Sequence, residues 1–133
     1  MSQQQYLASR TLDGGATWTP MLHESFFPLP PKVARVRDQI DAYAGAFTVP
    51  SPTSAFFLGT CDACGTTSIT TTTDAGRSFE HTQLAAWGRR SERPEAISFI
   101  NARRGWVLVG SPAGAALLRT NDGGRTWHRI ARF

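Results

Sequence analysis

Lysine is almost missing from this sequence: Lys32 is the single one, and the rest of its 14 basic residues are arginines. They are scattered from Arg10 to Arg132 and form no dense stripe of the kind a phosphate backbone favours. The net charge of +4 and the pI near 9.8 raise the question of nucleic acid, but so modest and scattered an excess argues against it. Cysteine is scarce too. Two residues, Cys61 and Cys64, are too few for a disulfide framework or a four-thiolate zinc site. Long hydrophobic runs are absent, since nothing approaches the roughly 18 uninterrupted apolar residues of a membrane span. The opening Met1-Ser2-Gln3-Gln4-Gln5 lacks the basic-then-apolar pattern of a secretory leader. No membrane partner and no address are read, and the compartment stays open.

What is present suits an ordered globular chain with one core: 41% hydrophobic, 11% aromatic and 18% charged residues. One pattern recurs three times, as Thr11-Leu12-Asp13-Gly14-Gly15-Ala16-Thr17-Trp18, Thr72-Thr73-Asp74-Ala75-Gly76-Arg77-Ser78-Phe79 and Thr120-Asn121-Asp122-Gly123-Gly124-Arg125-Thr126-Trp127. Each reads Thr-x-Asp-x-Gly-x-Ser/Thr-aromatic. The last two lie one four-stranded unit apart, roughly 40 to 50 residues, and the first interval is about a dozen residues longer. Asp-Gly between alternating runs signals a tight hairpin, because glycine accepts positive φ. The aspartate can accept nearby backbone N–H groups, the hydroxyl can add a local bond, and the aromatic anchors the next strand.

Strands are expected around these turns. In the last unit they fall at 96–100, 105–110, 115–120 and 126–130, with Asn101–Arg104 and Ser111–Gly114 as turns. In the middle unit they fall at 45–49, 54–60, 66–72 and 77–84, with Pro50-Ser51-Pro52 and 61–65 as connections. The first unit holds only 5–11 and 16–22, a third and a fourth strand without the first two. Between them, the proline-rich 26–31 precedes Val33, Val36, Ile40 and Tyr43 at helical spacing, which predicts a short helix in the 31–44 linker. The organisation is thus a half unit at 1–22, a linker at 23–44, a unit at 45–84, a connection at 85–95 and a unit at 96–133.

These segments resemble the Asp-box, or BNR, repeats of sialidases, xyloglucanases and related propellers. Gly105–Gly110 and Leu117–Trp127 are similar to the photosystem II assembly and stability factor type of repeat. The resemblance implies an all-β, partial β-propeller of about two and a half four-stranded antiparallel blades. Its structural turn residues would be Asp13, Gly15, Thr17 and Trp18, then Asp74, Gly76, Ser78 and Phe79, then Asp122, Gly124, Thr126 and Trp127. It also implies that these turns lie on the bottom face, leaving the connections 23–44, 61–64, 85–95 and 111–114 to the top. An extracytoplasmic location would be compatible with the family. Whole members have more blades, and a propeller closes with four to eight.

Chemistry is harder to find than architecture. The Arg-Ile-Pro type motif of sialidases is missing, Tyr6 and Tyr43 are the only tyrosines, and no carboxylate pair stands out for a glycosidase. Three acids belong to the turns, and Asp38, Asp41, Glu92 and Glu95 are expected in loops. No catalytic residue, metal ligand set or cofactor is assigned; His23, His81 and His128 are too far apart in the repeat to share a metal. Cys61 and Cys64 suit a local disulfide or two ordinary thiols better than a redox pair, which favours a helix start. Trp87, Arg89, Arg90 and Arg93 crowd one top-face connection, a composition suited to docking an acidic protein partner or to a solvated loop.

Two and a half blades expose apolar sheet faces and an open edge. The expectation is a piece of a longer propeller, or one completed by blades of another chain, a homo-oligomer included. Function then reads as a non-enzymatic module for protein binding or complex assembly, with a fragment of a glycan-acting hydrolase as the alternative.

Overall fold

A computed structural model of the chain describes residues 6–24, 43–61, 66–83 and 93–133. Alternating apolar and polar residues between turn-forming clusters give ten strands there and no helix: β1 (Tyr6–Arg10), β2 (Thr19–Glu24), β3 (Tyr43–Ser51), β4 (Ser54–Cys61), β5 (Thr66–Thr72), β6 (Glu80–Gln83), β7 (Arg93–Phe99), β8 (Gly105–Ser111), β9 (Gly114–Thr120) and β10 (His128–Arg132). They form three sheets, β1-β2, β3-β4-β5-β6 and β10-β9-β8-β7, and each strand pairs antiparallel with its sequence neighbour. The chain therefore lays down one two-stranded ribbon and two four-stranded meanders.

Period-two alternation decides what the sheets bury. On β4, Phe56 and Leu58 enter a cluster with Ile69 of the same sheet and Ile97, Phe99, Val107, Val109 and Leu118 of the last sheet. Their neighbours Ala55 and Phe57 point the opposite way, into a smaller cluster with Leu22. The middle sheet is thus covered on both faces, which is why Ser54 to Gly59 are buried without interruption. The seam between the two four-stranded sheets is aromatic: the rings of Phe56 and Phe99 stack with centroids 3.6 Å apart, and Phe99 meets Trp127 edge-on at 6.1 Å. Complete burial of side chains such as Phe56 or Leu58 contributes about 1.5–3 kcal/mol each. β8 shows the other pattern, with Val107 and Val109 buried and Trp106 and Leu108 half-buried, because one face of the last sheet has a neighbour and the opposite face has none among the described residues.

Several strand bounds differ from the sequence expectation. Pro50 and Ser51 belong to β3, and the connection shrinks to the turn at Pro52 and Thr53. Proline is tolerated there because β3 is an edge strand and its pairing with β4 shifts between Thr48 and Ser51. Pro94 sits likewise on the edge strand β7 beside a shift, so Arg93 and Glu95 lie in a strand and the connection ends earlier than expected. Tyr43 opens β3 and closes no helix; the rest of the proposed 31–44 helix, apart from Ala44 in the same strand, lies outside the described residues. The fourth strands start at Glu80 and His128, and the ribbon's second at Thr19, later than expected, because the turns before them are wider than two-residue hairpins.

Candidate functional site

Each repeat turn is built on a threonine and an aspartate. At the first, Thr11 Oγ1 donates to Asp13 Oδ1 (2.7 Å) and accepts from Gly15 N–H (2.8 Å); Asp13 accepts from Thr17 N–H at Oδ1 (2.9 Å) and from Thr17 Oγ1 at Oδ2 (2.6 Å). The second repeats this with Thr72, Asp74, Gly76 and Ser78 at 2.9, 2.8, 3.0 and 2.6 Å. The third does so with Thr120, Asp122, Gly124 and Thr126 at 2.7, 3.0, 2.9 and 2.5 Å. Trp18 and Trp127 each donate the indole N–H to the carbonyl of the turn glycine, Gly15 and Gly124, at 3.0 Å. The leading threonines were not among the sequence candidates. Their signal was there, a threonine two residues before every repeat aspartate, and in the two four-stranded sheets Thr72 and Thr120 are buried.

Hydrogen bonds to a carboxylate favour its charged form. Asp13 is held down to about 2, first by the Thr17 hydroxyl and then by the Thr17 N–H and the Thr11 hydroxyl. For Asp122, burial pushes the carboxyl up, but the Thr126 hydroxyl and N–H and the Thr120 hydroxyl outweigh it and leave it at about 2. Asp74 lies well below the usual carboxylate range because of the Ser78 hydroxyl and N–H. These acids are committed to holding turns. Of the others, Glu80 pairs with Arg125 at 3.0 Å across the seam and the Glu95 side chain lies over Gly110.

The turns also tie each four-stranded sheet together at one end. Ala75 N–H donates to Thr53 O (2.8 Å), and Gly123 N–H, at the equivalent position, donates to Arg103 O (2.8 Å). The turn after the first strand and the turn after the third are thus locked side by side. In the last sheet this juxtaposition creates an open groove of about 870 Å³, lined by Asn101, Arg103 and Arg104 from one turn, Asn121 from the other, and Trp106 and Arg119 from β8 and β9. Trp106 and Arg119 are cross-strand partners. Asn101 Oδ1 accepts the N–H groups of Arg103 (2.9 Å) and Arg104 (2.8 Å), so the backbone beneath the two guanidinium groups is fixed. Neither of these arginines, nor Arg119, has a carboxylate within ion-pair distance among the described residues.

Sequence reasoning placed the candidate surface elsewhere. Trp87, Arg89 and Arg90 lie outside the described residues, as does Cys64, so the docking loop and the disulfide are not described; Cys61 ends β4 and Arg93 begins β7. The groove was missed because its arginines belong to one turn and a separate strand, which only the pairing of β7, β8 and β9 brings together. Among the described residues no group of three or more His, Cys, Asp or Glu side chains is placed to hold a metal ion. No helix there is long and apolar enough to cross a membrane.

No protein-family model matches the chain, and no curated protein does. The solved structure of YCF48 bound to D1 peptide is similar to it, with a TM-score of 0.50 and 22% sequence identity over 68% of this chain and 26% of that one. The fold is a partial β-propeller. The chain spans about a quarter of the YCF48 chain it matches, and its two four-stranded sheets are blades of that architecture. The ribbon β1-β2 carries the same turn as the last two strands of each blade.

Proposed function

We propose that this chain is part of a non-enzymatic propeller module that binds protein partners, and that its arginine-lined groove takes an extended acidic segment. The observation that carries the reading is the convergence of Arg103, Arg104 and Arg119 beside Trp106 with no acid to neutralise them among the described residues. Planar guanidinium groups suit bidentate pairing with carboxylates, and a tryptophan beside them supplies apolar area for the intervening side chains. YCF48, similar in fold, is bound to D1 peptide, so a propeller of this kind can carry a polypeptide ligand. We also infer that the Thr-x-Asp turns are Asp-box turns of the BNR type, on their bond pattern. The hydrolase alternative has less behind it, because the repeat aspartates are engaged in turns and Glu80 is paired.

The segment with Trp87, Arg89 and Arg90, followed by Arg93 at the start of β7, is a second candidate for acidic partners. An acidic Glu/Asp-rich peptide titrated against the chain separates the two. Replacing Arg103, Arg104 and Arg119 by alanine should weaken binding by about a hundredfold, at roughly 1 kcal/mol per exposed charge pair. Replacing Arg89, Arg90 and Arg93 should leave it unchanged. The reverse result would move the site to the connection, and no loss in either variant would remove acidic-segment binding from both surfaces.

A further inference from the structure

The turn between β7 and β8 carries charge that its structural job does not require. In the middle blade the equivalent turn is made by Pro52 and Thr53, and Thr53 O accepts from Ala75 N–H at 2.8 Å. In the last blade Arg103 O accepts from Gly123 N–H at the same 2.8 Å, yet the turn is longer and holds Arg103 and Arg104. Backbone alone makes the lock in both blades, so neither guanidinium group is needed for it. Both residues are exposed, and neither has a carboxylate within ion-pair distance among the described residues.

The acceptors around these two arginines are already occupied. Their N–H groups are taken by Asn101 Oδ1, at 2.9 and 2.8 Å, and their carbonyls by Gly123 N–H and Ile100 N–H, at 2.8 and 3.1 Å. Asn101 thus commits its side-chain oxygen to the turn and keeps its amide NH2 for a ligand. On the facing turn, Asp122 O accepts from the Arg125 guanidinium at 3.2 Å. The Asp122 carboxylate, beside Asn121 in the chain, is filled by Thr120, Arg125 and Thr126. A groove with occupied acceptors and idle donors, Arg119 among them, suits a ligand that only accepts and carries more than one negative charge.

We propose that the groove is a phosphate-ester site that takes a phosphoserine of an extended acidic segment, which rests on the acidic-segment reading of the same groove. The Arg103 and Arg104 guanidinium groups bond the phosphoryl oxygens, Arg119 and the Asn101 amide complete the donor set, and Trp106 meets neighbouring residues of the segment. A carboxylate carries a single charge, and one guanidinium fork satisfies it. A phosphoserine brings three acceptor oxygens and about two charges at neutral pH, enough to engage more than one fork.

The probe is a Glu/Asp-rich peptide with one central position made as serine, glutamate or phosphoserine, titrated against the 133-residue protein. The phosphoserine form should bind about tenfold more tightly than the glutamate form. Replacing Arg103 and Arg104 together by lysine keeps the charge but removes the forks, and should erase most of that preference. Both positions are exposed, and an unchanged urea midpoint verifies that the fold survives. Inorganic phosphate should displace the phosphopeptide where acetate at equal ionic strength does not. Equal affinity of the glutamate and phosphoserine forms would overturn the phosphate site and leave the acidic-segment reading standing, whereas no binding by any form would remove both. A preference that survives in the lysine variant, or displacement by acetate as effective as by phosphate, would also overturn the phosphate site.

Discussion

In the turn that begins at Thr11, Trp18 donates its indole N–H to Gly15 O at 3.0 Å and is 61% exposed. In the turn that begins at Thr120, Trp127 makes the same 3.0 Å bond to Gly124 O but packs against Phe99 in the seam between two blades. The threonine-aspartate bonds also agree between the two turns to within a few tenths of an ångström. The turn is therefore a local object, set by eight residues, whereas burial of its aromatic depends on strands that belong to the first half of the blade. A propeller repeat combines both, and this chain shows them separated.

Aromatic truncation tests that separation most directly. Trp127→Ala should cost about 3 kcal/mol, a partly buried case of the range for large-to-small core changes, while Trp18→Ala should change stability by at most about 0.5 kcal/mol. Urea unfolding of the two variants measures the difference; equal losses would show that Trp18 is covered in solution.

Gly105→Ala probes the seam from the backbone. A Cβ there would lie 2.5 Å from the Phe99 ring, which is already stacked on Phe56, so neither ring can yield easily. The expected loss is about 2 kcal/mol from overpacking, with exchange accelerated in β7 and β8 and unaltered in the ribbon.

Ala75 separates the middle turn from the outer two. It holds φ at 63°, where the others place Gly14 and Gly123. Its N–H is used by Thr53 O and its carbonyl accepts from the Arg10 guanidinium of the ribbon. These bonds fix a left-handed conformation that alanine disfavours, and Ala75→Gly should raise stability by about 1 kcal/mol in thermal unfolding.

The smallest effect is expected from acid. Asp13 and Asp122 fall from the ordinary 3.8 to about 2 in the folded chain. A depressed carboxyl contributes stability above its unfolded value, which is lost as pH falls through the folded one. Stability should decline between about pH 4 and pH 2, and carboxyl NMR titrations should give Asp13 and Asp122 similar midpoints despite their unequal surroundings. A normal midpoint for Asp13 alone would mean that the turn needs a complete blade to form.

Much of this was legible beforehand. Strands β4, β5, β8 and β9 follow from apolar alternation and β-branched runs such as Thr70 to Thr73, and the turns follow from Asp-Gly spacing. Edge strands were harder, because Pro50 and Pro94 look like connections until a strand has only one pairing edge to satisfy. Arg93 and Glu95 were misplaced for that reason. The width of the turns was hidden because a threonine hydroxyl bridging to Gly N–H lengthens what Asp-Gly alone suggests. The arginine groove could not be read at all, since Arg103 and Arg119 are neighbours only after β8 pairs with β7 and β9.

The sequence by itself determined the three turns, because every donor and acceptor that closes them lies within eight consecutive residues. It also determined which strand residues alternate between the two faces. Tertiary structure decided which of those faces are covered: Phe56 and Phe99 are dry and Phe47 and Trp18 are wet, although their local conformations are ordinary. Burial is a property of what packs alongside, and a strand's own residues carry no record of whether its neighbour has arrived.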